Sequence, residues 1–284
     1  MLLSLLHLNI RLLVAFLLLA SSNCAGNSVR LQSSPQQEPL ENYLQNADAK
    51  AVAEAVHQGS KSLTLLRRYS TSTDFRIRQL IMRCVGSIGD NQAADILALG
   101  LTDNNINVRL AAADELATKP YPGAAEAILS QLQKSPELII QEKLALAAGR
   151  LSAEKSLSVL KSMSGSADQL GSNVRMALAR LGEPKARNAF IQALGNKLPL
   201  KRYEALEQLV YVDDARLLLS AKKLLLDKTN ALRIGSLRAS RYRRVCDQAV
   251  DTFVAVLKLV VDFPVDPERN YSAQELNRIK GLVK

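Results

Sequence analysis

Between Asp74 and Gly89 the apolar residues keep one helical period. Ile77, Leu80, Ile81, Cys84, Val85 and Ile88 fall at i, i+3, i+4, i+7, i+8 and i+11, which fills every place of an amphipathic stripe. Gly89 follows, where a helix C-terminus favours glycine. A shorter helix carrying Ala93, Ile96, Leu97 and Leu101 comes next. The same two-helix unit then recurs. Val108, Ala111, Ala112 and Leu116 share one face and precede Ala125, Ile128, Leu129 and Leu132. Ile140, Leu144, Ala147, Ala148 and Leu151 open a third unit that closes around Leu157 and Leu160. Val174, Ala177, Leu178 and Leu181 then lead through Gly182-Glu183-Pro184 to a helix with Phe190 and Leu194. A further pair spans 199–212 and 214–227, and the last eighty residues are less regular.

The register can be counted on arginines. Arg78, Arg109 and Arg175 each follow a β-branched residue at the same point of a first helix, 31 and 66 residues apart. A period near thirty with two helices per unit predicts an all-α fold, an α-solenoid or α-α superhelix. No unit can hide its own stripe, so neighbours must stack. The pattern predicts no strand between residues 74 and 262. It has departures: Gln141 stands where arginine is expected, Lys201-Arg202 replaces the β-branched–arginine pair, and 228–246 shows no helix pair.

The segments DNNINVRLAAADELA and SNVRMALARLGEPKA resemble HEAT repeats, especially the short kind related to phycobiliprotein chromophore lyases. The shared features are the Asp before the helix, the Val-Arg pair, the small-residue face and the Leu-Gly turn. The resemblance covers roughly residues 70–260 and implies structural roles for Asp103 and for Arg78, Arg109 and Arg175. In such repeats the Asp caps the first helix and the Arg reaches the inter-repeat loop.

The ends read differently. Residues 45–69 predict two helices covering the first unit, 70–262 the repeats, and 263–284 a capping helix opened by the capping box Ser272-Ala273-Gln274-Glu275. The helix before it, AVDTFVAVLKLVVDF, is apolar nearly all round, which calls for burial beneath that cap. Residues 1–25 read as a signal peptide, with Arg11 ahead of the nine-residue apolar run Leu12–Ala20 and small residues after it. His7, Asn9 and Arg11 argue against a membrane span over the same stretch, since a central Arg costs about 2.5–3.5 kcal/mol. Simple cleavage after the small residues competes with lipidation at Cys24, for which Leu19 lies too far upstream of an ordinary lipobox. Residues 26–44 read as a flexible linker rich in Ser, Gln and Pro.

Composition supports this picture and limits function. The 284 residues are 48% hydrophobic but only 4% aromatic, with no Trp; the apolar set is mainly Leu and Ala, both good helix formers. The net charge is +10, which favours acidic or anionic partners. Export makes nucleic acid an unexpected partner and leaves membrane contact to a lipid anchor at Cys24. Three cysteines give no disulfide framework. About five helix layers at roughly 8–10 Å separate Cys84 from Cys246, too far for a bond that needs Cα atoms within about 7 Å, so both are expected as buried thiols.

Catalytic marks are few. The chain has two histidines, and His7 leaves with the signal. His57 sits before Gly59, where a helix C-terminus favours a cation. No metal, nucleotide or redox motif is present, and no cofactor is expected. Asp247 and Asp251, at i and i+4, and the adjacent Asp213 and Asp214 read as structural or solvated carboxylates. The candidate partner or anion site is LRIGSLRASRYRR, with Arg233, Arg238, Arg241, Arg243 and Arg244 and no acid among them. Arginine's planar fork suits carboxylate and phosphate, and this segment interrupts the helical rhythm as an inserted loop would. A solvated loop paired with Asp247 or Asp227 is the competing reading. The expected function is an exported, non-catalytic scaffold, in the periplasm or at the cell surface, that binds a protein partner with an acidic surface. Its alternatives are a lyase or lyase accessory, as the resemblance implies, and a surface lipoprotein engaging anionic lipid or glycan.

Overall fold

The computed structural model describes residues 39–165, 168–235 and 241–283. The expected signal segment, Cys24 and the expected linker up to residue 38 lie outside them, as does Arg238.

The helix pairs form where the stripes place them. First helices are α4 (Phe75–Ile88), α6 (Ile106–Thr118), α8 (Leu138–Ala148), α10 (Gln169–Arg180), α12 (Pro199–Val212) and α14 (Val245–Leu257). Each packs on the next in that order. The second helices α5 (Ala94–Gly100), α7 (Ala125–Lys134), α9 (Ala153–Ser162), α11 (Pro184–Leu194) and α13 (Ala215–Ala221) form the other layer. Helix on helix is thus the architecture of the described residues between 74 and 226, as the periodicity predicts.

Small residues set the spacing of the first-helix layer. Ala111, Ala112 and Ala113 on α6, Ala145, Ala147 and Ala148 on α8, and Ala177 and Ala179 on α10 are all buried. Neighbouring backbones approach so closely that a Cβ at Gly149 would fall 2.7 Å from the Ala177 Cα. Caps close the helices: Asp74, Asn105, Asp168, Glu183 and Asp214 accept from backbone N–H groups in the first turns of α4, α6, α10, α11 and α13. Gly89 ends α4 in the left-handed region at φ 72°. Cys84 and Cys246 are buried free thiols, and burial pushes the Cys84 thiol up to about 12.

Three expectations need correcting. The linker ends earlier than residue 44: Leu40 and Leu44 are buried on α1 (Leu40–Gln45), which packs on α2 (Lys50–Gln58) and α4. Two leucines at i and i+4 suffice to pin one short turn to the first stripe. With α3 (Leu63–Tyr69), these helices cover the open side of the first unit. Asp103 is not the cap of α6; Asn105 is, and Asp103 instead accepts the Asn105 N–H at 2.8 Å and faces back toward the preceding unit. Finally, strands do occur between 74 and 262. β1 (Asn230–Ile234) and β2 (Arg241–Arg244) form an antiparallel hairpin with a bulge between Asn230 and Leu232. The helical rhythm breaks there because this ribbon is inserted between the second helix α13 and the next first helix, α14, into which it leads straight.

Candidate functional site

The repeat arginines build a ladder along one end of the first-helix layer. Arg78 donates to the Ser72 carbonyl at 2.7 Å, six residues back, and to the Asp103 carboxylate at 2.7 and 2.8 Å. Arg109 repeats this, donating to the Asp103 carbonyl at 2.7 Å and to the Glu137 carboxylate. Arg202 donates to the Asn196 carbonyl at 2.6 Å and to Asp227 at 2.7 Å. Gln141, which breaks the sequence pattern, keeps half of the arrangement by donating to the Ser135 carbonyl at 2.7 Å, again six back. Arg175 holds the equivalent place on α10 and is also engaged. Arg78, Arg109 and Arg202 therefore each close their own inter-repeat loop and also grip a carboxylate 25 or 28 residues ahead. The pairs are largely shielded, at 11%/11% exposure for Arg78–Asp103 and 13%/15% for Arg202–Asp227. Arg78 holds the Asp103 carboxyl below its ordinary range.

A second set of cations serves the opposite helix ends. Lys119 donates to the Gly86 carbonyl at 2.8 Å and Arg150 to the Ala117 carbonyl at 2.8 Å, each 33 residues back. These are last-turn carbonyls of α4 and α6, where orphan acceptors and the helix dipole favour positive charge. Two guanidinium groups lie over the Tyr211 ring, Arg150 at 5.0 Å and Arg180 at 5.5 Å from its centroid.

The arginine-rich segment divides between interior and surface. Arg243, on β2, is fully buried, so it is not a partner-binding residue as its sequence context suggests. It pairs with Asp251 and donates to the carbonyls of Asp266, at 3.0 Å, and Arg269. Arg244 is likewise turned inward, donating to Asp247 at 2.6 and 2.8 Å and to the Tyr271 carbonyl at 2.7 Å. Asp247, itself fully buried, also accepts the N–H groups of Arg244 at 3.0 Å and Tyr271 at 2.8 Å. The Tyr271 hydroxyl donates to Asp251, and its ring stacks edge-on against Phe263, centroids 5.7 Å apart. Burial pushes the Asp251 carboxyl above its ordinary range, against the pull of Arg243. Two arginines and two carboxylates thus fasten the 262–272 loop to α14, so that α15 (Ala273–Leu282) can lie against α14. Ser272 and Glu275 form the expected capping box.

What remains outside is smaller. Arg233 is exposed, and Arg241 is exposed with one donation to the Glu268 carbonyl. Tyr242 beside them is 51% exposed. His57 lies exposed in the last turn of α2, Asp213 ends α12, and Asp214 caps α13 while pairing with Arg187 at 2.6 Å. Among the described residues no group of three metal-ligating side chains occurs and no helix is long and apolar enough to cross a membrane.

Sequence reading missed the exposed lysines of the C-terminal third. Lys197, Lys222, Lys223 and Lys228 are exposed, and Lys280 also faces solvent at the end of α15. The signal was present in the count: residues 191–284 hold 17 basic and 11 acidic residues, against 18 and 15 in residues 39–190.

No family model matches the chain, and no curated relative matches it either. Among solved structures, the complex of CpcE and CpcF of phycocyanin lyase from Nostoc sp. PCC7120 is similar at 15% identity and a TM-score of 0.54, covering 92% of this chain and 100% of that one. An archaeal HEAT-like repeats protein from Thermococcus onnurineus NA1 is similar at 13% identity and a TM-score of 0.41, covering 91% and 98%. With its stacked helix pairs, the chain has the α-solenoid fold of HEAT-like repeat proteins.

Proposed function

We propose that the chain is an exported repeat scaffold, working in the periplasm or at the cell surface, that binds an acidic protein partner through its C-terminal third and catalyses no reaction itself. One observation carries the reading. The ladder arginines are consumed inside the solenoid, whereas Arg233 and Arg241 on the hairpin and the lysines around α13 stand exposed on its surface. Such a surface attracts an acidic partner and speeds its encounter. The similar phycocyanin lyase structure is itself a complex of two proteins, which supports a protein partner.

Crosslinking from the native cell envelope tests it. Wild-type chain should capture a discrete acidic protein, and capture should weaken as salt rises. Capture of nothing, or capture indifferent to salt, rejects the proposal. A second reading, a lyase or lyase accessory, takes its support from the same likeness in fold. Covalent attachment of a bilin to an acceptor protein in the presence of this chain, measured by absorbance, would establish it.

A further inference from the structure

The edge that carries the arginine ladder also carries a row of exposed apolar side chains. Phe75, Ile106 and Leu138 are the first residues of α4, α6 and α8, each three places before the ladder position of its unit. They recur 31 and 32 residues apart and are 37%, 45% and 48% exposed. Ile139 beside Leu138 is exposed too, and on α12 the exposed Leu198 and Leu200 flank the equivalent place. The helices α4, α6 and α8 pack in order, so successive members of the row lie about 8–10 Å apart.

Helix stability does not explain this choice of residue. A first turn favours acidic side chains, because its free N–H groups and the helix dipole are positive. The second helices α5, α7 and α9 start at the opposite edge and follow that rule with Asp95, Glu126 and Glu154. The first helices α4, α6, α8, α10 and α12 carry no acidic residue in the first turn. Core packing does not explain it either, since these side chains face outward. Nor does the edge hold spare negative charge. Asp74, Asp103, Glu137 and Asp227 in its loops are each paired with an arginine, and Asp168 caps α10. Lys134 at the end of α7, with Lys197 and Lys228 in the loops, stands exposed on the same edge.

We infer that this edge seats the chain on an anionic lipid surface. The apolar row dips to the level where headgroups meet acyl chains, and the lysines meet lipid phosphates. A bilayer suits the row better than a protein surface does. The side chains stand singly, one per helix layer, with polar loop residues between them. A headgroup layer offers carbon and phosphate at every point, so it needs no register with the repeat. The inference goes beyond the scaffold reading, and a local probe in the first three units tests it independently of that reading.

The chain has no tryptophan, so one introduced on the edge reports on that spot alone. Full-length Phe75→Trp, Ile106→Trp and Leu138→Trp are each titrated with vesicles of phosphatidylglycerol and brominated phosphatidylcholine. Emission should shift to the blue and be quenched by the bromine, and vesicles of brominated phosphatidylcholine alone should do neither. Residues 12–20 are apolar enough to reach lipid by themselves, which a local reading separates from edge contact. Leu200→Trp and Val210→Trp supply the control, since these equally exposed positions lie about 15 Å apart along α12. The first should respond and the second should not. Lys134→Glu, Lys197→Glu and Lys228→Glu, added together to Ile106→Trp, should raise the lipid concentration at half-shift about tenfold or more, with helical circular dichroism retained. Should the tryptophan variants misfold, amide exchange of the wild type reads the same contact, as slower exchange in the first turns of α4, α6 and α8 on anionic vesicles only. Silence at the three edge positions overturns the inference, as does an equal response at Val210→Trp or an equal response to neutral vesicles.

Discussion

The middle of the solenoid and its C-terminal closure solve one problem with the same two residue types, arginine and carboxylate, in opposite ways. In the middle, each arginine is half of a repeated device. Arg78, Arg109 and Arg202 lock their own loops through carbonyls six residues back and reach a carboxylate one unit ahead. The pairs remain 11–19% exposed, so solvent still moderates their cost. At the closure the carboxylates come from α14 itself rather than from a loop one unit ahead. The hairpin therefore sends Arg243 and Arg244 inward, onto Asp251 and Asp247, and Arg243 is fully buried. A repeated device can lose one member cheaply because its neighbours persist; a unique buried network cannot.

That difference ranks the expected effects of mutation. Arg243→Met should be the most damaging, since it leaves Asp251 charged in the interior without its partner. A loss of about 3–5 kcal/mol is expected from chemical denaturation, and Asp251→Asn added to it should recover part of the loss. A loss below that of a ladder arginine would mean that the closure is no less replaceable than a repeat. Arg78→Ala should cost about 1–3 kcal/mol by freeing the Ser72 carbonyl and the Asp103 carboxylate, read as a lower urea midpoint with the helical signal intact.

The third effect is a pH dependence in the regular region. Glu115 on α6 packs over Gly86 of α4, and burial, with Asp114 adding to it, raises its carboxyl to about 7. The folded chain then keeps a proton that the unfolded chain releases from about pH 4.5 upward, so stability should fall as pH rises from there to about 7. Glu115→Gln removes the titration. It should leave the protein about 1–2 kcal/mol more stable than wild type at pH 8, the difference vanishing below about pH 4; thermal melts at the two pH values measure it. Smallest of all, Arg233→Ala on the exposed face of the hairpin should shift stability by less than about 0.5 kcal/mol while reducing capture of an acidic partner. A large loss of stability there would mean that the hairpin arginines are all structural.

Much of the repeat region was legible because its information is local. Stripes at 3.6-residue spacing, the Gly89 terminus, the Ser272–Glu275 capping box and the buried thiols Cys84 and Cys246 follow from residues a turn or a helix apart, and the structure carries them all. The site was legible only in part. A run of arginines without an acid looks free in sequence, yet Arg243 and Arg244 meet carboxylates three to eight residues on and carbonyls 23 to 27 residues on. Those partners come together only after the chain folds back through the 262–272 loop.

By itself the sequence determined the helical repeat, its period, the Gly89 terminus and the Ser272–Glu275 capping box, since hydrophobic periodicity and helix-end chemistry act within a few residues. Tertiary structure decided which charges are spent and which are available. It turned Asp103 from a cap into an acceptor for the preceding unit's arginine, let Gln141 serve at an arginine's position, buried Arg243, and left Phe75, Ile106 and Leu138 uncovered along one edge. The reason is physical: a charged side chain's fate depends on the desolvation and partners it meets in space, and stacking brings together groups that lie about thirty residues apart along the chain.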